Sequence, residues 1–224
     1  MMIRFQPAFP QMFYNLQKLK RKNVNGRRHY ITPEGNVYPS VTSVLKILDE
    51  EGLDEWRKRV GEGVADHISR KATTIGTKFH KAVEIYLTNL EPEFDNLLVK
   101  AHFENLKPLL HNINLIKSLE CHVYSDVLQL AGQLDCVAVY KDVPSVIDFK
   151  TASKKKKEEW IERYFLQSTA YSIMWDELTG EKVEQIVILI SGEDGSKEEY
   201  VKNRDDYVDR LQEILKAYKE NATE

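Results

Sequence analysis

Apolar residues recur at helical spacing through the first half of the chain and at strand spacing, or in dense runs, through the second. Val44, Leu45 and Leu48 share one helical face, with Ser40 or Thr42 placed to cap it. The same periodicity predicts helices over about 53–70 and 74–90, and in the latter Phe79, Val83, Tyr86 and Leu87 line one side. Pro92 stops that pattern, and 94–110 reads as a further helix. Ahead of these, aromatics, a basic run and Thr32-Pro33-Glu34-Gly35 predict a short helix and then a hairpin of 28–31 with 36–38. The texture changes after 112. Segments 115–126, 129–140 and 144–150 are rich in Val, Ile, Leu and Tyr with short polar breaks between them, the pattern of three consecutive antiparallel strands. A helix over 157–178 stops at Thr179-Gly180, followed by an apolar strand over 183–190, a short one over 198–201 and an amphipathic helix over 205–219. This order predicts an α/β fold with a mixed central sheet flanked by helices. The change of texture divides it into an N-terminal hairpin and helical region, 1–112, and a core, 113–224, within one compact domain overall.

With 42% apolar and 30% charged residues in 224, the chain is an ordinary globular protein able to bury a sizeable core. It has no uncharged apolar run of about 18 residues, which excludes a membrane-spanning helix. The start, Met1-Met2-Ile3-Arg4-Phe5-Gln6-Pro7, lacks the apolar stretch of a secretory signal and the Arg and Ser richness of a mitochondrial import segment. The expected location is the cytoplasm, of a bacterium or a phage-infected cell. Cys121 and Cys136 are too few for a disulfide framework or a four-thiolate cluster, and both read as small buried apolar residues in strands. Net charge is −3, so its distribution informs more than its sum. Residues 18–28 hold six basic side chains and no acid, and Lys154, Lys155, Lys156 and Lys157 form a second cluster. The bland reading of either run is a solvated face, but the second follows directly after the strand that carries Asp148 and Lys150, which sets it apart.

Chemistry concentrates between 120 and 171. Asp148 and Lys150, in Val146-Ile147-Asp148-Phe149-Lys150, are two apart on a strand and so project together, while Ile147 and Phe149 face the other way. An acid and an ammonium in an apolar strand are costly unless partnered. A hard divalent cation would partner the carboxylates, and Asp135 on the adjacent strand could reach the same ion. Phosphodiester hydrolysis needs such an arrangement: the ion polarises a phosphate oxygen, lowers the pKa of bound water and offsets leaving-group charge. Lys150 beside it could orient or deprotonate the water or stabilise the phosphorane, and the sequence leaves these roles open.

Gly132-Gln133-Leu134-Asp135, Asp148-Phe149-Lys150-Thr151 and Gln167-Ser168-Thr169-Ala170-Tyr171 resemble the G-x-x-D, D-x-K and Q-x-x-x-Y series of RecB-like exonucleases in the PD-(D/E)xK superfamily. Upstream, the segment from Gly76 through His80 to Glu84 is similar to their first motif, and Pro39-Ser40-Val41-Thr42 matches a segment of the mitochondrial genome maintenance exonucleases and their phage relatives. Motifs in this order on matching elements are far more specific than D-x-K alone. The resemblance implies a restriction-endonuclease-like core and a Mg²⁺- or Mn²⁺-dependent deoxyribonuclease without an iron–sulfur cluster. It makes His80, Asp135, Asp148 and the Phe149 backbone carbonyl metal ligands, with Glu120 as a candidate further ligand. Lys150 joins Asp135 and Asp148 as catalytic. Glu84, Ser40, Thr42, Thr151, the four lysines, Gln167 and Tyr171 support the site or contact DNA. His67, His102, His111 and His122 have no motif around them and read as structural or exposed, while Trp56, Trp160 and Trp175 read most simply as core, Trp160 having base stacking beside the lysine cluster as its alternative. The implied activity is an exonuclease preferring single-stranded DNA ends, acting as a monomer, with recombination, repair or replication proteins as candidate partners. The rivals are a structure-specific endonuclease of the same fold and a catalytically inactive DNA-binding recombination partner.

Overall fold

The structure, a computed structural model, describes residue 5, residue 14, residues 16–48 and residues 50–221. Strands β1 (Lys20–Val24), β2 (Arg27–Ile31) and β3 (Val37–Pro39) pair antiparallel in that order. Asn25 and Gly26, both at positive φ, close the two-residue β1–β2 turn, a backbone that an Asn-Gly pair adopts readily. The hairpin predicted at 28–31 and 36–38 thus forms, and the basic run ahead of it becomes a third strand. The short helix predicted before it falls largely outside the described residues.

Ser40 caps α1 (Val41–Val44) by accepting the Ser43 N–H at 3.1 Å, and the chain continues as a 3-10 helix over Leu45–Leu48. Helix α2 (Glu50–Val60) ends at Gly61, whose φ of 87° suits glycine. Helix α3 (Glu62–Leu87) then runs unbroken through 71–73, where the sequence pattern predicts a break. The hydroxyls of Thr73, Thr74 and Thr77 donate to the carbonyls of Ser69, Arg70 and Thr73, so these threonines are satisfied inside the helix and do not end it. Helix α4 (Leu97–Leu110) starts at Asn96, which accepts the Leu98 and Val99 N–H groups.

The central sheet is β4 (Ile113–Ser125), β5 (Leu130–Tyr140), β6 (Val143–Ala152), β7 (Gln185–Gly192) and β8 (Lys197–Asn203), side by side in chain order. All neighbours are antiparallel except β6 and β7, which run parallel and are joined through α5 (Glu162–Thr179). The sheet is therefore mixed, as the element order predicts. A 3-10 turn over Glu158–Trp160 replaces the first turn of the helix predicted from 157, and α6 (Val208–Asn221) ends the described chain.

Helices cover both faces. On one, Phe79, Tyr86, Phe103 and Leu106 of α3 and α4 pack over Ile147, Phe149, Val187 and Leu189. On the other, Leu166, Met174, Trp175 and Leu211 of α5 and α6 pack with Val137 and Val146. Strand β7, covered twice, is apolar almost throughout, as a central parallel partner must be. Trp175 is core, but Trp160 is 58% exposed beneath the Lys157 ammonium, which overturns the core reading of that tryptophan and leaves its alternative, a surface ring beside the lysine cluster. No helix among the described residues is long and apolar enough to cross a membrane.

Candidate active site and metal centre

The β5–β6 ladder stops at Cys136 opposite Ile147, while β6 runs on beside β7. Asp135 and Asp148, the next residues on each strand, therefore sit where the two strands part. Asp148 and Lys150 share a side, as the strand period requires. Lys150 Nζ lies 2.5 Å from both Asp148 oxygens but is aligned for a hydrogen bond only to Oδ1, which also accepts from Gln167 Nε2 at 3.2 Å. Oδ2 is buried without a hydrogen-bond partner. Burial pushes the Asp148 carboxyl up to about 6, with Lys150 pulling the other way. Burial also works against the Lys150 charge, but Asp148 and Asp135 outweigh it and hold that pKa above the ordinary lysine value.

Asp135 Oδ2 accepts the Phe149 N–H at 2.9 Å. The N–H and C=O of one strand residue point the same way, so the Phe149 carbonyl also turns toward β5. From α3, His80 brings Nδ1 to 3.4 Å from Asp135 Oδ2 and 3.7 Å from Glu120 Oε1. Glu120 reaches in from β4 at a φ of 48°, a left-handed conformation that costs a non-glycine residue about 1–3 kcal/mol. One donor atom from each of His80, Glu120 and Asp135 lies within 4.8 Å of the others. Burial opposes a proton on His80, yet the two carboxylates outweigh it and push the imidazole up to about 10. Acids that hold a proton this firmly, beside a buried Asp148 oxygen that meets the Lys150 ammonium without a hydrogen bond, make a donor set that fits a hard divalent cation. Asp148 stands outside the three-residue group, tied to Lys150 and Gln167.

On α5, Tyr171 lies one turn beyond Gln167, its hydroxyl 3.5 Å from Gln167 Nε2. Its ring occupies the space over Gly132, where a Cβ would stand 2.5 Å from Cε1. Burial raises the phenol pKa strongly. The glycine of one motif thus makes room for the tyrosine of another.

Sequence comparison finds "Mitochondrial genome maintenance exonuclease 1" of Homo sapiens, 32% identical over 145 residues, covering 60% of this chain and 40% of that protein. The protein of the same name in Xenopus tropicalis is 32% identical over 178 residues, covering 70% of this chain and 49% of its own length. The chain thus spans less than half of the curated relatives it matches. No family model matches it. The resemblance that the motifs carry is shared by whole segments of sequence, and the observed order of helix, antiparallel strands, crossover helix and parallel strand is the predicted one. The fold is a mixed α/β one, a five-stranded sheet with helices on both faces. Among solved structures, a proposed exonuclease of Eubacterium rectale aligns at 13% identity over 83% of this chain and 72% of its own, with a TM-score of 0.38, too remote to add to that statement.

A cleft of about 500 Å³ opens over the candidate metal group. Its walls include His80, Glu84, Glu120, Asp135 and Lys150, and also Gln167, Tyr171, Ser40 and Thr42. Glu84 is taken by Lys81 at 2.7 Å, and Thr42 accepts from Arg28 at 2.6 Å. Thr151 continues β6 beside Ser191, off the cleft wall. Lys154, Lys155 and Lys157 are exposed, Lys156 is half-buried, and none of the four lines the cleft. Lys156 Nζ does reach the Tyr164 hydroxyl at 3.3 Å, and Lys150 lies over the same ring.

Arg21, Arg28 and Gln133 are cleft residues that sequence reasoning misses. Arg21 donates to Gln133 Oε1 at 2.8 Å, and Gln133 Nε2 donates to Glu120 Oε2 at 2.8 Å. Both guanidiniums lie over the Tyr30 ring. The basic run at 18–28 was their visible signal. What it lacks is any hint that the hairpin folds back onto β5.

Proposed function

We propose that this chain is a metal-dependent DNA exonuclease with a preference for single-stranded ends. The observation that carries the reading is the His80, Glu120 and Asp135 group beside the buried Asp148–Lys150 pair. The names of the similar proteins support it. His80, Glu120 and Asp135 would hold Mg²⁺ or Mn²⁺, both suited to carboxylate and imidazole donors, with Asp148 and the Phe149 carbonyl at its edge. The ion would polarise a phosphate oxygen and acidify bound water. Lys150, kept protonated by its acidic neighbours, is better suited to stabilising negative charge on the phosphate than to acting as the base. Gln167 fixes the Asp148 carboxylate and Tyr171 braces Gln167. Lys154, Lys155, Lys156 and Lys157 follow the catalytic strand and would meet backbone phosphates beyond the cleft. Residues 62–74 of α3 are exposed apart from Ala65, and the same helix lines the cleft from Gly76, so its exposed half would flank a strand entering the cleft. That placement supports the end preference.

End-labelled linear and covalently closed circular DNA, single- and double-stranded, incubated with Mg²⁺ or Mn²⁺, test the reading. Linear single strands should be digested, circles spared, and EDTA should stop the reaction. Equal loss of circles would favour a structure-specific endonuclease, and binding without cleavage an inactive recombination partner. Asp148→Asn should keep fold and DNA binding and lose cleavage by orders of magnitude; normal cutting by that variant overturns the assignment.

A further inference from the structure

We propose that the groove between β1 and β4 is a second binding site, one that takes the sugar–phosphate backbone of the single strand on one side of the scissile phosphate. The proposal rests on the nuclease reading and extends it to a surface not yet given a role. The groove has a volume of about 940 Å³, larger than the cleft, and opens into it, because Arg21, Glu120 and Gln133 line both. Lys18, Lys20 and Arg21 place three cations along it, and Glu120, already turned toward the candidate metal group, is the one acid among its described lining residues. Neither Lys18 nor Lys20 forms a salt bridge with a described carboxylate, and both are exposed. His122 forms part of the wall. It is 6% exposed, and its Nε2 has no hydrogen-bond partner. Its ring packs edge-on against Tyr30, the residue on which Arg21 and Arg28 rest, so the imidazole is fixed in place.

A row of cations along a groove that opens into the cleft, two of them without a described carboxylate partner, calls for an anionic ligand. Continuity with the cleft selects a nucleic-acid strand over an acidic protein. A strand with one phosphate at the metal group carries its next phosphates out along whichever channel joins that site, and this channel is cationic. Arg21 sits at the junction and reaches the candidate ligand Glu120 through Gln133, so the two sites share a wall.

The test uses the full chain with Ca²⁺ in place of Mg²⁺, so that binding is read without turnover. Fluorescein-labelled oligothymidylates in a ladder of lengths are titrated by anisotropy at several salt concentrations. Wild-type affinity should rise with length and level off. The Lys18→Glu/Lys20→Glu variant should level off at a shorter length, with a salt slope shallower by about 1.4, since each lost phosphate contact on a single strand removes about 0.7. Lys18→Gln/Lys20→Gln loses the same two contacts and should show the same change in slope, with a smaller loss of affinity because no repelling charge is added, and both pairs should melt like the wild type because the side chains are exposed. A charge-matched control, Lys182→Glu/Lys202→Glu, changes residues near the opposite end of β7 and should keep the wild-type plateau. If the wild type binds and cuts while the groove variants keep its plateau and slope, the groove is not a strand site and the nuclease reading stands. Displacement of the oligonucleotide by polyglutamate as effective as that by unlabelled DNA overturns the choice of ligand. A wild type that neither binds nor cuts in Mg²⁺ overturns both proposals.

Discussion

A glycine inside a strand weakens it unless something uses the room its missing side chain leaves. At Gly132 that occupant is the Tyr171 ring, which a Cβ would meet at 2.5 Å from Cε1 and 3.1 Å from Cζ. These are atoms of a rigid, buried ring rather than the far end of a flexible chain. Gly132→Ala should therefore overpack this point and cost about 1–3 kcal/mol. It should also move Tyr171 away from Gln167, and Gln167 is what steadies Asp148. Two readouts separate these consequences: the urea midpoint reports the packing loss, and the cleavage rate of the remaining folded protein reports the disturbed site. Unchanged stability would mean that the ring yields freely and that the glycine serves some other purpose. A second residue, Arg204, makes a different argument. Its buried guanidinium pairs with Asp176 at 2.6 Å and donates to Ser172 at 2.9 Å, so Asp176→Ala leaves a buried charge short of its partner. A loss of about 3–5 kcal/mol should follow, measured by the same denaturation.

At the scale of elements, the loop carrying Lys154, Lys155, Lys156 and Lys157 is held from the β7–β8 turn. Asp194 accepts the Lys155 N–H at 3.0 Å while also taking the Ser196 N–H and hydroxyl. The Ser196 hydroxyl first, then these backbone N–H groups, lower its pKa to about 2. A depressed carboxylate stabilises its surroundings fully above the unfolded-state value, and that contribution is lost as pH falls through the folded one. The Lys155 and Ser196 amides should thus stay protected from exchange down to mildly acid pH and lose protection as pH drops toward about 2. An NMR titration checks this, and loss of protection near pH 4 would show that the anchor does not form. How much of the architecture was legible follows from the same scale. Strands β4, β5 and β6 were readable because apolar density and period-two spacing survive in any context, and they carry Asp135, Asp148 and Lys150. The α2–α3 break was misplaced, because a run of threonines reads as polar punctuation but can bond back into its own helix. Arg21 was out of reach for a stronger reason: its contact with Gln133 spans 112 residues, and nothing local to either partner encodes it.

Across the whole molecule, the candidate metal group is where the layers meet. His80 comes from a helix on one face of the sheet, Glu120 and Asp135 from the sheet itself, while Gln167 and Tyr171 belong to a helix on the other. Without an ion, the two carboxylates are balanced by a proton on His80 and by the Lys150 ammonium, which favours keeping the layers together but leaves Asp148 Oδ2 beside that ammonium without a hydrogen bond. An ion that binds the assembled donors and not the unfolded chain stabilises the fold by mass action, by about 2.7 kcal/mol at a hundredfold excess over Kd. For a domain of this size each kcal/mol raises Tm by about 2–4 °C, so saturating Mn²⁺ should lift the melting temperature by roughly 5–11 °C. His80→Ala and Asp135→Asn should each abolish most of that rise, whereas Lys182→Glu, remote from the site, should leave it intact. Because the readout is thermal and not catalytic, it separates failure to hold the ion from failure to cut. A wild-type melting temperature indifferent to Mn²⁺ and Mg²⁺ would remove the ion from this site, and with it the need for its donors to be gathered from helix and sheet.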